Sequence, residues 1–194
     1  MVSKKRLREI ADRLVELKDT SELMLDLAYS SLLLNSVELA DEVLKLEEYM
    51  DDLHTRFELL VLSSGFKAKE SGQFLGLIRL GIVTEQIADA AAEMAMVVMK
   101  GLEPHPILKK VIEEAEETVV RVQVSQNSEM VGKSLRELRI PEETGMWILA
   151  IRRGTSWMRP QPDTVIRAGD VLIASGYAEG EEDLVKWASP DTAS

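Results

Sequence analysis

Two hydrophobic periods divide this chain. Through residues 4–100 apolar side chains return every three or four positions, and from Thr118 they return every second position in segments rich in β-branched residues. The first period buries a stripe along a helix and the second buries one face of a strand, so one structure cannot serve both. The chain therefore reads as an α+β protein in two parts. An antiparallel helical bundle is expected over residues 1–117 and a small α+β domain with an antiparallel sheet over residues 118–194.

In the first part, Leu7, Ile10, Leu14 and Leu17 begin a helix. Asp19-Thr20-Ser21-Glu22 resembles a capping box, which either restarts the helix or kinks it, and the pattern resumes through Leu23, Leu27 and Leu34. Asn35-Ser36-Val37-Glu38 should open a second helix carrying Val43, Leu46, Met50, Leu53, Phe57 and Leu60, a heptad-like seam ended by Ser63-Ser64-Gly65. A third helix should run from about Lys69 to Lys100 with Gly101 as its left-handed cap, and a short one over 107–117 behind Pro106. In the second part, Thr118–Val124, Met146–Arg152, Thr155–Arg159 and Asp170–Tyr177 read as strands, with short helices at Ser134–Leu138 and Glu181–Ala188. Arg153-Gly154 and Arg167-Ala168-Gly169-Asp170 supply turns.

Several function classes fall away on composition. The net charge is −11, which disfavours nucleic acid as a partner. There are no cysteines, hence no disulfides, thiolate metal sites or cysteine nucleophile. No window of about 18 residues is free of charge, so no membrane-spanning segment is expected. Met1-Val2-Ser3-Lys4-Lys5 does not resemble a secretory signal, and a cytoplasmic protein is the expectation. The two histidines, His54 and His105, belong to no recognisable catalytic set, and His105 reads as a loop residue between prolines. An enzyme is not expected.

The acidic residues are more informative. On the wheel of the second helix, Glu48 and Asp52 fall on the wet side. Glu47, Asp51, His54 and Glu58 border the apolar seam. The third helix places Glu85 and Asp89 four apart among Phe74, Ile78, Ile82, Ala92 and Met96, while Leu80, Ile87, Ala91, Met94 and Val98 make the opposite face apolar too. Carboxylates within an apolar face are costly unless paired, protonated or metal-bound. Glu47, Asp51, His54, Glu85 and Asp89 are therefore candidate ligands for a divalent metal ion, with flanking positions paired to Lys or Arg as the alternative. A helix apolar on both faces calls for a partner, and a homodimer is expected.

Residues 20–100 resemble one three-helix repeat of the PhoU-like proteins, through VELADEVLKLEEYMDDL and TEQIADAAAEM. That resemblance implies metal binding at Glu47, Asp51, Glu85 and Asp89. This chain has one repeat where the family has two, and Ile87 and Ala88 stand where the family has Arg and Gly. Residues 118–188 resemble the C-terminal domain of TrkA and other regulator-of-conductance (RCK) proteins, through VGKSL, AIRR, PQPD and GDVLI with Gly145 and Gly176. The resemblance implies a dimerising regulatory domain that takes a small ligand such as cyclic di-adenosine monophosphate at the dimer cleft. Arg152, Arg153, Pro160 and Pro162 are the candidate ligand-binding residues. No G-x-G-x-x-G is present, so no dinucleotide site is implied. Together the two resemblances imply a regulatory subunit of a cation transport system, cytosolic or peripheral to the inner face of the membrane. Potassium is the expected ion and a membrane channel or transporter subunit the expected partner. The alternative is a metal-binding regulator of phosphate uptake.

Overall fold

The computed structural model describes residues 2–101, 107, 110 and 117–190. Backbone contacts divide the chain into two compact units, Met1–Leu102 and Glu103–Ser194. Of the helix expected over 107–117, Ile107 and Lys110 are helical and Glu117 belongs to a strand; its other positions, with His105 and Pro106, lie outside the described residues.

The first unit is three long helices: α1 (Lys4–Leu33), α2 (Val37–Leu62) and α3 (Ser71–Met99), each packed on the other two. Ser3 and Ser36 cap the first two by accepting hydrogen bonds from the backbone N–H groups of Arg6 and Leu39. The stretch Asp19–Glu22 neither restarts nor ends α1, a single 30-residue helix. There the buried stripe passes without a break from Leu17 to Ser21, Met24 and Leu27. Ser21 satisfies its own hydroxyl by donating to the Lys18 carbonyl at 2.9 Å, so the potential cap is absorbed into the helix. Of the expected α2 seam, Val43, Met50, Leu53 and Phe57 are buried, and Leu46 and Leu60 are half-buried. A 3-10 turn over Ala68–Glu70 precedes α3, whose end is marked by Gly101 at φ 64°.

The face of α3 that carries the acids is less covered than its sequence implied. Phe74 and Ala92 are buried, but Ile82, Met96 and Asp89 are exposed. On the other face Ala91 and Val98 are buried, whereas Leu80 and Ile87 are exposed. Two neighbouring helices can cover only part of the circumference of a third, and the carboxylates sit at the margin of that cover.

The second unit holds a four-stranded antiparallel sheet in the order β1-β4-β2-β3: β1 (Glu117–Gln123), β2 (Met146–Arg153), β3 (Ser156–Met158) and β4 (Val171–Tyr177). Among the described residues its other elements are α4 (Leu135–Leu138), α5 (Ile140–Thr144), a 3-10 turn over Ala178–Gly180 and α6 (Glu181–Ala188). The core joins Val120 and Val122 of β1 to Leu172 and Ala174 of β4, Met146 and Ile151 of β2, and Leu184 and Ala188 of α6. Ser134 forms a capping box with Glu137 at the start of α4. The hydrogen bonds from the Ser134 N–H and hydroxyl hold the Glu137 carboxyl below the usual carboxylate range. α5 has no counterpart in the sequence pattern. Ile140-Pro141 starts it and Gly145, at φ 68°, ends it by donating to the Pro141 carbonyl. Gly154, at φ 63°, makes the β2–β3 hairpin turn, and β3 is shorter than the run Thr155–Arg159 that its sequence suggested.

Candidate metal and ligand sites

The helical unit gathers carboxylates where α2 crosses α3. Glu47 and Asp51, one turn apart on α2, meet Asp89 of α3, and one oxygen from each lies within 4.8 Å of the other two. Glu85 and His54 flank this trio without joining it. Burial pushes the Glu85 carboxyl above the usual carboxylate range, the Asp89 charge adds to the effect, and His54 opposes it. Burial likewise raises Glu47, with Asp51 and Asp89 as the next causes. Among the described residues, no lysine or arginine is one of the charges acting on either group. His54 Nε2 is 3.7 Å from Glu58 Oε1 and has no hydrogen-bond partner. Its ring packs at the helix crossing against Gly81, where a Cβ would come 2.8 Å from the Phe57 ring and 3.4 Å from His54 Cδ2. Gly81 thus sets how closely the two acid-bearing helices approach. Glu48 and Asp52 are exposed as expected, and Asp52 pairs with Arg56 at 2.7 Å.

An all-oxygen set with surplus negative charge suits a hard divalent ion such as Mg²⁺ or Mn²⁺. Glu47, Asp51 and Asp89 would hold it, with Glu85 next in reach. The ion's charge would offset the mutual repulsion of these groups. The metal-free protein has a corresponding signature. A carboxyl raised in the fold favours the folded state below its ordinary pKa, and that contribution is lost as pH rises through the raised value. In chelating buffer, stability should therefore fall as pH rises from the ordinary glutamate range through the raised values of Glu47 and Glu85. Glu47→Gln should flatten that fall and raise the melting temperature at pH 8 by about 2 °C. Thermal melts across pH 4–8 read both; a variant that melts lower at every pH contradicts the repulsion.

In the second unit the four candidate ligand residues part company. Arg153 belongs to the scaffold. Its guanidinium donates to both carboxylate oxygens of Asp170, Nε to Oδ1 at 2.9 Å and Nη2 to Oδ2 at 2.7 Å, and Nη2 donates again to the Val165 carbonyl at 2.8 Å. Asp170 is 2% exposed and also accepts from the backbone N–H of Arg167. These bonds hold the turn Arg167–Asp170 against β2, so Arg153 is not presented to a phosphate. Arg152, on the other face of β2, lies 5.8 Å from the centroid of the Trp157 ring, its cross-strand partner on β3.

Pro160 and Pro162 do border a cleft. It has a volume of about 300 Å³, and Leu135, Ile140, Trp147 and Ile148 give it a largely apolar wall, with Arg136 at the rim. The loop carrying the prolines is fastened to α4, because the N–H groups of Leu135 and Arg136 donate to the carbonyls of Thr164 and Pro162. Trp147 is half exposed and meets Tyr177 edge-to-face, with centroids 6.4 Å apart. Neither Trp147 nor Arg136 is among the ligand residues that the sequence suggests. The signal for Trp147 was available: an outward-facing position on an alternating strand filled by a large aromatic ring poorly suited to water.

Comparison with known proteins agrees with this two-part reading. The PhoU domain family matches residues 14–98 and the TrkA-C domain family residues 119–189. Potassium channel protein 1 of Methanocaldococcus jannaschii is 38% identical over 73 residues, 37% of this chain and 22% of that protein. An uncharacterized transporter of Synechocystis sp. is 33% identical over 69 residues, 35% of this chain and 11% of that protein. The chain thus spans about a fifth and a tenth of the lengths of these curated relatives. Among solved structures, the RCK_C domain dimer of S. agalactiae BusR in complex with c-di-AMP is 29% identical. It is matched over 37% of this chain and 96% of its own, with a TM-score of 0.35. The chain joins a PhoU domain to a TrkA-C domain.

Proposed function

We propose that this protein is a cytosolic regulatory subunit of a potassium transport system, acting as a homodimer and without enzymatic activity. The observation that carries the reading is the TrkA-C match. A stretch about as long as the whole domain is 38% identical to part of a potassium channel protein. The cleft beside Pro160 and Pro162 supports it: an apolar wall with one tryptophan and a rim arginine can take a small ligand that has flat rings and phosphates. Cyclic di-adenosine monophosphate is the ligand proposed, at that cleft where two copies meet. It can act on a membrane partner only by preferring one arrangement of the dimer over another.

Rubidium-86 uptake, compared between cells lacking the gene and complemented cells, tests the role. A change of about fivefold or more is expected, the size of an ordinary allosteric coupling, with phosphate uptake unaltered. Unaltered rubidium uptake in potassium-limited cells overturns it. Ligand binding has its own measure. Cyclic di-adenosine monophosphate at a hundred times its dissociation constant should stabilise the protein by about 2.7 kcal/mol and raise its melting temperature by several degrees. No shift at millimolar ligand removes that ligand from the proposal.

The carboxylate trio favours a second reading, a metal-binding regulator of phosphate uptake. Manganese retained stoichiometrically after gel filtration, lost in Glu47→Ala and Asp89→Ala, and phosphate uptake altered in place of rubidium would select it.

A further inference from the structure

We propose that α3 is the contact helix between two copies of this chain, laid antiparallel about a two-fold axis that passes at Gln86. This rests on the homodimer of the reading above and places its interface in the helical unit. α3 turns an apolar strip outward: Leu75, Ile82, Val83 and Val97 are exposed, Val83 by 53%, and Gly76 and Ala90 between them leave room for a close neighbour. The occupant is specified by charge. Down the middle of the strip, at seven-residue spacing, run Arg79, Gln86 and Glu93. All three are exposed, and among the described residues neither Arg79 nor Glu93 has a charged partner in its own chain.

Seven residues separate Gln86 from each charged neighbour. An antiparallel copy centred on Gln86 therefore sets Arg79 against Glu93 of the second copy, and Glu93 against its Arg79. The same operation sets Leu75 opposite Val97 and Ile82 opposite Ala90, brings Val83 level with Asp89 at the strip's edge, and leaves the uncharged amide of Gln86 facing itself. Other registers are penalised. A parallel pair puts Arg79 on Arg79 and Glu93 on Glu93. Sliding the axis by one heptad puts one of those like charges on itself. A strip that matches its own reversal and opposes its own shifted or parallel copies is what a two-fold self-interface requires.

The whole chain, with its native lack of cysteine, allows a clean test. Gln86→Cys should give a covalent dimer on mild oxidation. Leu75→Cys should not, since its two copies would lie about 33 Å apart along the helix axes. In sedimentation equilibrium, Arg79→Glu and Glu93→Arg should each weaken dimerisation about tenfold, because each turns two attractive pairs repulsive. The double variant should return to within about threefold of the parent. All of these side chains are exposed in the subunit, so helical circular dichroism should be unaltered and folding is not at issue. A dimer that persists unchanged in both charge-reversal variants, with no covalent dimer from Gln86→Cys, overturns the inference and leaves the homodimer standing elsewhere. A parent chain that is monomeric at micromolar concentration overturns the homodimer itself.

Discussion

Gly176→Ala should abolish the folded TrkA-C unit while leaving the helical bundle intact. Gly176 lies in β4, paired on one side with Thr118 and on the other with Met146. A Cβ there would overlap the carbonyl oxygen of Gly145 and stand 2.8 Å from the Met146 Cα. Both are backbone atoms, and neither can turn aside as a side chain would. Gly145 is itself held at φ 68° by the end of α5, and the next contact along, Gly180 against the Thr144 carbonyl, is as tight. The whole corner would have to part, at a cost of about 4 kcal/mol or more, comparable with the stability of a small unit. The readouts separate the two halves naturally. All three tryptophans, Trp147, Trp157 and Trp187, lie in the second unit, so their fluorescence reports it alone, whereas helical circular dichroism reports mainly the bundle. Loss of the tryptophan transition with the helical signal retained is expected, and Ser175→Ala should alter neither. A Gly176→Ala protein with a native tryptophan transition would mean that the corner is looser than its backbone contacts indicate.

That corner shows why one kind of sequence information outran another. Gly145 and Gly176 were visible through resemblance, but nothing in a single sequence says that the backbone of a glycine just before β2 lies against a glycine of β4 thirty-one positions later. Periodicity, by contrast, is a local signal. It placed α2, α3, the four strands and the α2 seam because each burial pattern is set within one element. It failed at Asp19–Glu22, where a plausible cap was overruled by an unbroken buried stripe. It missed α5, a five-residue helix too short to show a period.

The candidate sites divide along the same line. Glu47 and Asp51 share a face by spacing alone, and the wheel separates them correctly from Glu48 and Asp52. That Asp89 rather than Glu85 completes the trio depends on how α3 is rotated against α2. That rotation is set by Gly81 and Phe57, a contact between elements. The exposed strip of α3 was legible as a second apolar face, but its phase was not. Leu75, Val83 and Val97, which lead the strip, were not among the residues that suggested it.

Arg153 gives the sharpest instance, and the second large effect. A pair of arginines on a strand beside a ligand-binding loop reads as a phosphate clamp, yet one of them is already committed to Asp170. Asp170→Ala should destabilise the unit by about 3 kcal/mol, because it strands a half-buried guanidinium and leaves the Arg167 N–H without its acceptor. Arg153→Ala should cost a similar amount for the mirror reason, since the carboxylate it abandons is 2% exposed. The two losses should not add. Once one partner is gone the other has little left to lose, so the double variant should fall short of the sum by about 2 kcal/mol. Urea melts followed by tryptophan fluorescence measure all three. A ligand contact behaves otherwise: it leaves the free protein's stability nearly untouched and shows its loss only in binding. If Arg153→Ala melts like the parent but no longer responds to cyclic di-adenosine monophosphate, the ion pair is incidental and the arginine belongs to the ligand. If it melts early and Asp170→Ala melts with it, cation chemistry at the cleft falls to Arg136, at its rim beside Pro162.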